Sequence, residues 1–450
     1  MFLKIPKPDG KKIDWKKLQK LIFSDEFRSS EHWKIFLEKQ NSPQYKSWEQ
    51  VQYSPSLPPE LNPEESFQLL SIIRGFSAKK TPLTDTNGNP FVWEELNRFR
   101  FFCDDFSKNF GVYKSHHTLS KEKQELRRKK IFEGTVEEAI ASSQIEGAII
   151  TRKQGKELLQ SKRAPKTHSE KMVINNYETI VRIETEWKHR NMSEELLLEI
   201  QKSLTRGTLE NSDQEGRFRT KKDHIVVGNP LSNETAFIPP EEKQMRKQLL
   251  RCIDFTNDTL KCDEYFGDLP SAILIHFWLA YLHPFCDGNG RTARALFYWY
   301  LLRKNYLSIG FLPISNRIRA SKRQYENAFL LAEQDQNNLT YFFDYIIRQM
   351  RLSVKDFEQY EMKATEEEQK RRQIAEKHHD LSGRQIELLR YFAKKSDKFT
   401  TFKRHQLYHN ISYITARKDL IDLEIRKLLI SKKRKKDVVF FPTKKVRDFL

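Results

Sequence analysis

From about residue 116 to residue 350 the apolar positions recur with the spacing of amphipathic helices, and one break interrupts them. The break runs from Arg219 to Pro240. There β-type residues (Ile225, Val226, Val227, then Phe237 and Ile238) flank Gly228-Asn229-Pro230, and the segment ends in Pro239-Pro240. This pattern predicts a β-hairpin or flap between helices. The most apolar stretch, Ser271 to Phe285, predicts a buried helix; His276 and His283 interrupt it, and it is too short to cross a bilayer. Pro284 forces a loop, and from Arg291 to Leu302 a strong helical pattern resumes.

Residues 1–115 form a Trp- and Phe-rich region. Asn62-Pro63-Glu64-Glu65 there reads as a helix start, followed by Phe67, Leu69, Leu70, Ile72 and Ile73. Thr84 to Pro90 is turn-like. Asp85-Thr86-Asn87-Gly88-Asn89 faintly resembles the opening of a calcium loop, but the sixth position is Pro90 where that loop needs glycine, so a turn is expected. Residues 353–380 are highly charged and read as a connecting helix or linker.

The last 70 residues read as a separate module, 381–450. Ser382 to Leu389 begins an amphipathic helix, and Ser412 caps a second, basic one through Leu420. A basic run, Lys432 to Lys436, then precedes Val438-Val439-Phe440-Phe441. Helix, helix and basic hairpin is the order of a winged helix-turn-helix. No period of 20–50 residues recurs, so repeats are not expected. The expected fold is mainly α, with a helical N-terminal region, a helical domain over 116–352 carrying the β-hairpin flap, and the C-terminal winged helix.

Composition narrows the class. Charged residues make up 31% and hydrophobic ones 38% of the chain, which suits a soluble protein with long polar helices. Its start lacks the apolar run of a secretory signal. Cys103, Cys252, Cys262 and Cys286 show no zinc or disulfide spacing and read as reduced thiols of a cytoplasmic protein, with Cys286 a small filler and not a nucleophile. The formal charge of +19 is uneven: residues 401–450 hold 14 Lys/Arg against 5 Asp/Glu. An anionic partner is expected for that end, nucleic acid before membrane. In that reading Arg417 and Lys418 contact phosphates, Tyr413 and Thr415 reach bases, and Lys432 to Lys436 form the wing. A module used for protein contacts or dimerisation fits the same residues.

Candidate chemistry concentrates in His283-Pro-Phe-Cys-Asp-Gly-Asn-Gly-Arg-Thr-Ala-Arg294. Gly288-Asn289-Gly290 falls at a helix N-terminus, where free N–H groups and the helix dipole favour an anion and glycine lets a phosphate come close. Arg291 and Arg294 share a helix face and can grip further phosphates. Asp287 can hold Mg²⁺, and His283 ends the preceding helix, placed to take a proton from a hydroxyl. A lone Gly-Asn-Gly would suggest only a helix–loop–helix corner; the whole combination argues for a polyphosphate site. Upstream, Thr135-Val-Glu-Glu138 reads as a capping box opening a helix near 135–147 that reaches Glu146, with Gly147 as C-cap. A carboxylate in that last turn opposes the helix dipole, so it is either paired with a cation or solvated.

These residues resemble the Fic family, whose motif His-Pro-Phe-x-(Asp/Glu)-Gly-Asn-Gly-Arg-x-x-Arg is matched at every fixed position. The resemblance extends over Gly216 to Thr220, the flap ending at Pro240 and the helices from Ser315 to Tyr345, about 240 residues in all. It implies an all-α fold and transfer of AMP from ATP to a Ser, Thr or Tyr hydroxyl of a protein. It makes His283 the general base and Asp287 the Mg²⁺ ligand. The nucleotide site becomes Gly288, Asn289, Gly290, Arg291, Thr292, Ala293 and Arg294, with 288–291 cradling the phosphates. Flap residues Thr235, Ala236, Phe237 and Ile238 would lie over the adenine side and align the target by β-augmentation, and Tyr325 looks like the nucleotide-contacting tyrosine. A downstream contact that is usually Asn is Glu333 here. Members with other chemistries carry Lys at the second motif glycine or Ala at the first; Gly290 and Gly288 retain the adenylylating pattern.

Ser142-Ser-Gln-Ile-Glu146-Gly147 resembles the family's inhibitory motif, in which the Glu pairs with the second motif arginine, here Arg294, and blocks the γ-phosphate position. Its place before the catalytic motif implies a class II, autoinhibited adenylyltransferase. The implied partners are ATP with Mg²⁺, a protein target, the chain itself by auto-adenylylation, DNA through the C-terminal module, and a second copy as homodimer, with no membrane. An ATP-sensing transcriptional regulator and a de-adenylylating enzyme are the competing readings.

Overall fold

The computed structural model describes residues 5–111, 121–161, 163–229, 234–261, 267–377, 380–394, 399–434 and 437–449. The chain divides into two compact units, Met1–Lys355 and Asp356–Leu450. Both are built mainly of helices.

The first unit opens with α1 (Trp15–Ile22), α2 (Asp25–Ser29), α3 (Glu31–Asn41), α4 (Trp48–Val51) and α5 (Pro63–Ser77). Their aromatic positions meet in one core of Leu18, Phe27, Trp33, Phe36, Trp48, Phe67 and Leu70. Asn62 starts α5: its Oδ1 accepts from Glu65 N (2.8 Å) and Glu65 Oε2 accepts from Asn62 N (3.1 Å). The helical expectation for this region misses a two-stranded antiparallel hairpin, β1 (Ala78–Thr84) and β2 (Pro90–Glu94). Its tip is the Asp85 turn: Asp85 Oδ1 accepts from Asn87 N (2.9 Å) and Asn89 N (2.8 Å), and Gly88 takes φ +86°. The hairpin is not held by itself. Val92 N donates to Asn337 O (2.9 Å) and Leu339 N to Val92 O (2.8 Å).

After α6 (Asn97–Phe110) comes α7 (Lys121–Ile145), a single long helix. Thr135 therefore does not open a helix; it lies buried inside one. The carboxylate of Glu138, which would complete a capping box, instead accepts from Ser315 in the tertiary structure. Then follow α8 (Arg152–Ser161), α9 (His168–Thr185), α10 (Glu194–Thr205), the hairpin β3 (Val227–Asn229) and β4 (Glu234–Phe237), α11 (Glu242–Lys261), α12 (Asp268–Leu282), α13 (Asn289–Arg303), α14 (Ile314–Ala320) and α15 (Lys322–Gln334). Helix α12 is apolar all round, and nearly every residue is buried against α11 and α13, as such a composition requires. Helix α7 packs on α9 and α14. The long α16 (Thr340–Lys377) continues from the first unit into the second.

In the second unit α17 (Gly383–Lys394), β5 (Thr400–Thr401), α18 (Phe402–His409) and α19 (Tyr413–Ile425) lead into the hairpin β6 (Leu429–Arg434) and β7 (Asp437–Pro442). The sheet order is β5-β7-β6, antiparallel throughout. Leu389, Phe392, Leu420, Leu423, Leu429 and Phe440 form its core. The hydrophobic pattern did not disclose α18, whose sequence is mostly polar. It is capped by Thr401 Oγ1 accepting from Arg404 N (3.1 Å) and anchored by the buried His405.

Candidate active site at the α12–α13 corner

Helix α12 stops because His283 turns into the left-handed region (φ +48°) before Pro284. Its Nδ1 lies 3.3 Å from Ala280 O, so that nitrogen carries the proton and Nε2 is free to accept one. Burial pushes the His283 pKa down to about 4, and the nearby Arg219 adds to this, while the Ala280 carbonyl opposes it. The imidazole is thus neutral at pH 7.

The loop from 284 to 288 is held from three sides. Asn289 closes it from within: its Oδ1 accepts from Phe285 N and its Nδ2 donates to Phe285 O, both at 2.9 Å. Arg219, buried, donates from Nε to His283 O (2.7 Å) and from Nη2 to Pro240 O (2.6 Å), and its own N–H donates to Pro284 O (2.8 Å). One side chain therefore ties the loop to the end of the flap. Gln201 on α10 donates from Nε2 to Asp287 O (3.1 Å) and accepts at Oε1 from Gly216 N (2.6 Å). Sequence reasoning gave Arg219 and Gln201 no role. The approach of α10 is a tertiary fact, and only the Gly216 to Thr220 resemblance pointed near it.

Gly288 caps α13 with φ +83°. A Cβ there would meet Thr205 Cγ2 at 2.7 Å, so both backbone and space demand glycine. The N–H groups of Asn289, Gly290 and Arg291 then form the first turn of α13, which has no helical acceptors of its own. Thr292 spends its hydroxyl on Gly288 O (2.8 Å), and Ala293 is fully buried. Arg291 donates from Nη2 to Asp287 Oδ2 (2.9 Å) and from Nη1 to Leu204 O (3.2 Å). Asp287 is the exposed partner in that pair.

Arg294 is almost wholly buried and turns to the C-terminal end of α7. It donates from Nε to Ser142 Oγ (2.9 Å) and from Nη2 to Ser142 O (3.1 Å) and Glu146 Oε1 (2.9 Å). Burial raises the Glu146 carboxyl, but Arg294, then Arg291 and Lys322, outweigh it and its pKa lies below the ordinary value. Glu146 is thus an anion at neutral pH. Gly147 ends α7 with φ +94°, and Lys322 Nζ donates to Ile145 O (2.9 Å), a cation at a helix C-terminus. A Cβ built on Gly290 would land on the Glu146 carboxylate, so Glu146 fills the space directly above the α13 N-terminus.

The flap strands pair Val227 with Phe237, Gly228 with Thr235 and Asn229 with Glu234. Pro230 at the expected turn lies outside the described residues, as does Cys262. Phe237 packs on Tyr281 (centroids 5.2 Å apart), Thr235 is half-buried and Ile238 is exposed; Ala236 is placed by its backbone in β4. Tyr325 is buried under the site, its hydroxyl 2.8 Å from His276 Nε2. Glu333, half-buried, is pushed up to about 8 by burial. Burial also raises the Cys286 thiol to about 11, which leaves it protonated and inert. In the second unit Tyr413, Arg417 and Lys418 are exposed on α19 and Thr415 is half-buried in its first turn. Lys432 and Lys433 are exposed on β6; Lys435 and Lys436 lie outside the described residues.

A neutral histidine at a helix end, a glycine-bracketed turn and two arginines at the next helix start make a corner that can hold an anion and accept a proton. Residues 191–301 match the model of the Fic/DOC family. The chain is 33% identical over 118 residues to "Protein adenylyltransferase fic-1" of Caenorhabditis elegans, covering 25% of this chain and 20% of that protein. It is 37% identical over 91 residues to "Protein adenylyltransferase Fic" of Nematostella vectensis, 20% of this chain and 19% of that one. The chain thus spans about one fifth of the length of these relatives. A Fic family protein from Desulfovibrio desulfuricans G20 shares its fold, with a TM-score of 0.51 at 18% identity over 77% of this chain and 95% of that one. Among the described residues no helix is long and apolar enough to cross a membrane.

Proposed function

We propose that the chain transfers AMP from ATP to a Ser, Thr or Tyr hydroxyl of a protein, itself included, and that Glu146 holds this activity at rest. The observation that carries the reading is the Glu146–Arg294 contact of 2.9 Å above the α13 N-terminus. His283 Nε2 takes the hydroxyl proton while that oxygen attacks the α-phosphorus. The Pα–O bond to the β-phosphate breaks, pyrophosphate leaves, and AMP stays on the acceptor oxygen. The N–H groups of residues 289–291 and the two arginines hold the phosphates.

Asp287 fits a Mg²⁺ that arrives with the nucleotide: its carboxylate is exposed beside the start of α13 and supplies the hard oxygen that ion prefers. Mg²⁺ bound there would neutralise phosphate charge. Thr235, Phe237 and Ile238 would face the base and the target chain. In this reading Glu146, Ser142 and Gly147 make a class II inhibitory element; the ATP-sensor alternative falls if protein takes up label from ATP marked on the α-phosphate, and release of AMP from a modified target, lost on Glu146 substitution, would instead identify AMP removal. Label from the γ-phosphate alone would overturn adenylylation.

For residues 381–450 we propose a winged helix that binds duplex nucleic acid, with α19 as reading helix and β6–β7 as wing. Its support is the row of exposed cations Arg417, Lys418, Lys432 and Lys433. The full chain should retard random duplex DNA at low salt. Arg417→Ala with Lys418→Ala should lower the slope of log affinity against log salt by about 2. Retardation unchanged by salt or by both substitutions would leave protein contact as the module's role.

A further inference from the structure

The column of α7 that carries Glu146 also carries Ser142 and Glu138, spaced four residues apart and so on one face. Tyr298 stands four residues beyond Arg294 on α13. The two helices meet in rungs: Glu146 and Ser142 on Arg294, Glu138 on Tyr298. Glu138 is almost wholly buried, and it is eight residues from the resting contact.

Its hydrogen-bond count is unusual. Tyr298 Oη lies 2.9 Å from Glu138 Oε2 and 2.8 Å from Leu312 O, and it accepts from Ile314 N at 3.1 Å. A hydroxyl has one hydrogen, which can lie on only one of those two oxygen lines. If Tyr298 donates to the Leu312 carbonyl, which can only accept, the hydrogen on the other line must come from Glu138. Ser315 completes the set: its N–H donates to Oε2 (2.9 Å) and its hydroxyl donates to Oε1. With a proton on Oε2, every donor and acceptor in the group has a partner. Leu312 O also accepts from Ile314 N (2.8 Å), but with a Glu138 carboxylate the single Tyr298 hydrogen leaves one of the two close oxygen pairs with no hydrogen between them. Burial pushes the same way, raising the Glu138 pKa, while Ser315, Tyr298 and the charge of Arg294 oppose it.

We infer that Glu138 is a neutral carboxylic acid and a positioning residue, one that fastens α7 to Tyr298 and to the start of α14 and so sets Glu146 against Arg294. It deepens the autoinhibition reading and rests on it. Glu138 is 3% exposed and spends its oxygens on Ser315 and Tyr298. It is two helical turns from Glu146, and because α7 is continuous between them, loosening one rung shifts the other.

The test uses the full chain and label transfer from α-labelled ATP, in two backgrounds. Glu138→Ala should raise auto-labelling at least about fivefold in the otherwise native chain, the scale of one lost buried hydrogen bond. In the Glu146→Gly background the same substitution should change labelling by less than about twofold, because no resting contact remains to be positioned. Equal losses in both backgrounds would mark a merely structural residue and overturn the inference, as would no rise in the first. Where Glu138→Ala folds poorly, Tyr298→Phe removes a single hydroxyl and should give the same two-background pattern. The proton has its own readout. The infrared difference between native chain and Glu138→Gln at pH 7 should contain a carboxylic-acid carbonyl band; only carboxylate bands would overturn the protonation. If Glu146→Gly itself fails to activate, the autoinhibition reading falls. If it activates and Glu138→Ala does not, only the positioning role falls.

Discussion

Alanine in place of His283 should lower label transfer by about 10²–10⁴-fold, to the point of no detectable product. The size follows from what the side chain alone supplies. The α13 N-terminus, Arg291 and Arg294 are untouched by the change, so nucleotide binding should persist while the hydroxyl loses its proton acceptor. The backbone makes this test clean. Arg219 bonds the carbonyl of residue 283 and not its imidazole, so the loop keeps its hold on the flap when the ring is gone. The experiment is best run in the Glu146→Gly background, where turnover is expected to be largest. Retained labelling would remove His283 from the role of base. The pH profile adds a second check. A group with its pKa lowered to about 4 is deprotonated, and active as a base, at all pH values above that. The His283-dependent rate should stay level as pH falls from neutral to about 5 and drop only toward 4, whereas an unperturbed histidine would already fail near 6.5.

How much of this site could be read in the chain depends on how local each contact is. The α12–α13 corner is local: an apolar run, a proline, two glycines and a helix pattern lie within thirty residues, and each states its own backbone requirement. Gly288 illustrates this, since its positive φ is a property of one turn. The flap was legible for a similar reason, with β-type residues on either side of a turn. The hairpin of residues 78–94 was not. Lys79, Lys80 and Pro82 hide the alternation, and its stability comes from Asn337 and Leu339, some 245 residues away. Thr135 misled because a Ser/Thr with Glu three residues on is a cap only when the helix begins there. Here the helix begins at Lys121, and Glu138 has been taken by Ser315 and Tyr298 instead. Arg219 and Gln201 were unreadable as clamps because their acceptors are backbone carbonyls, which carry no sequence signal. Ser142 was legible as part of the motif ending at Glu146, but the use of its own carbonyl by Arg294 beside its hydroxyl was not.

Glycine in place of Glu146 should raise auto-labelling by about 5–150-fold, the range of a coupling of 1–3 kcal/mol between two sites. Arg294 sets the size of the effect. Its side chain is 3% exposed, so its charge needs an anion or several acceptors nearby. Ser142 offers two neutral acceptors, and Glu146 provides the anion. In the proposed reading ATP would bring a second anion to the same guanidinium, and the two would compete, because the Glu146 carboxylate already occupies the space that even a single methyl on Gly290 would need. The resting chain would then have to give up the Glu146 contact before the terminal phosphate could seat, and the free energy of that contact would be subtracted from binding. Without Glu146 the subtraction disappears. The empty protein should show the opposite effect. Arg294 then keeps only Ser142, so the variant without ATP should melt below the native chain, and saturating ATP with Mg²⁺ should raise its melting temperature by more than it raises the native one. Thermal melts with and without nucleotide read this directly. Equal labelling by the two proteins, with equal nucleotide-induced shifts, would mean that Glu146 is a structural partner of Arg294 and no barrier to the phosphate.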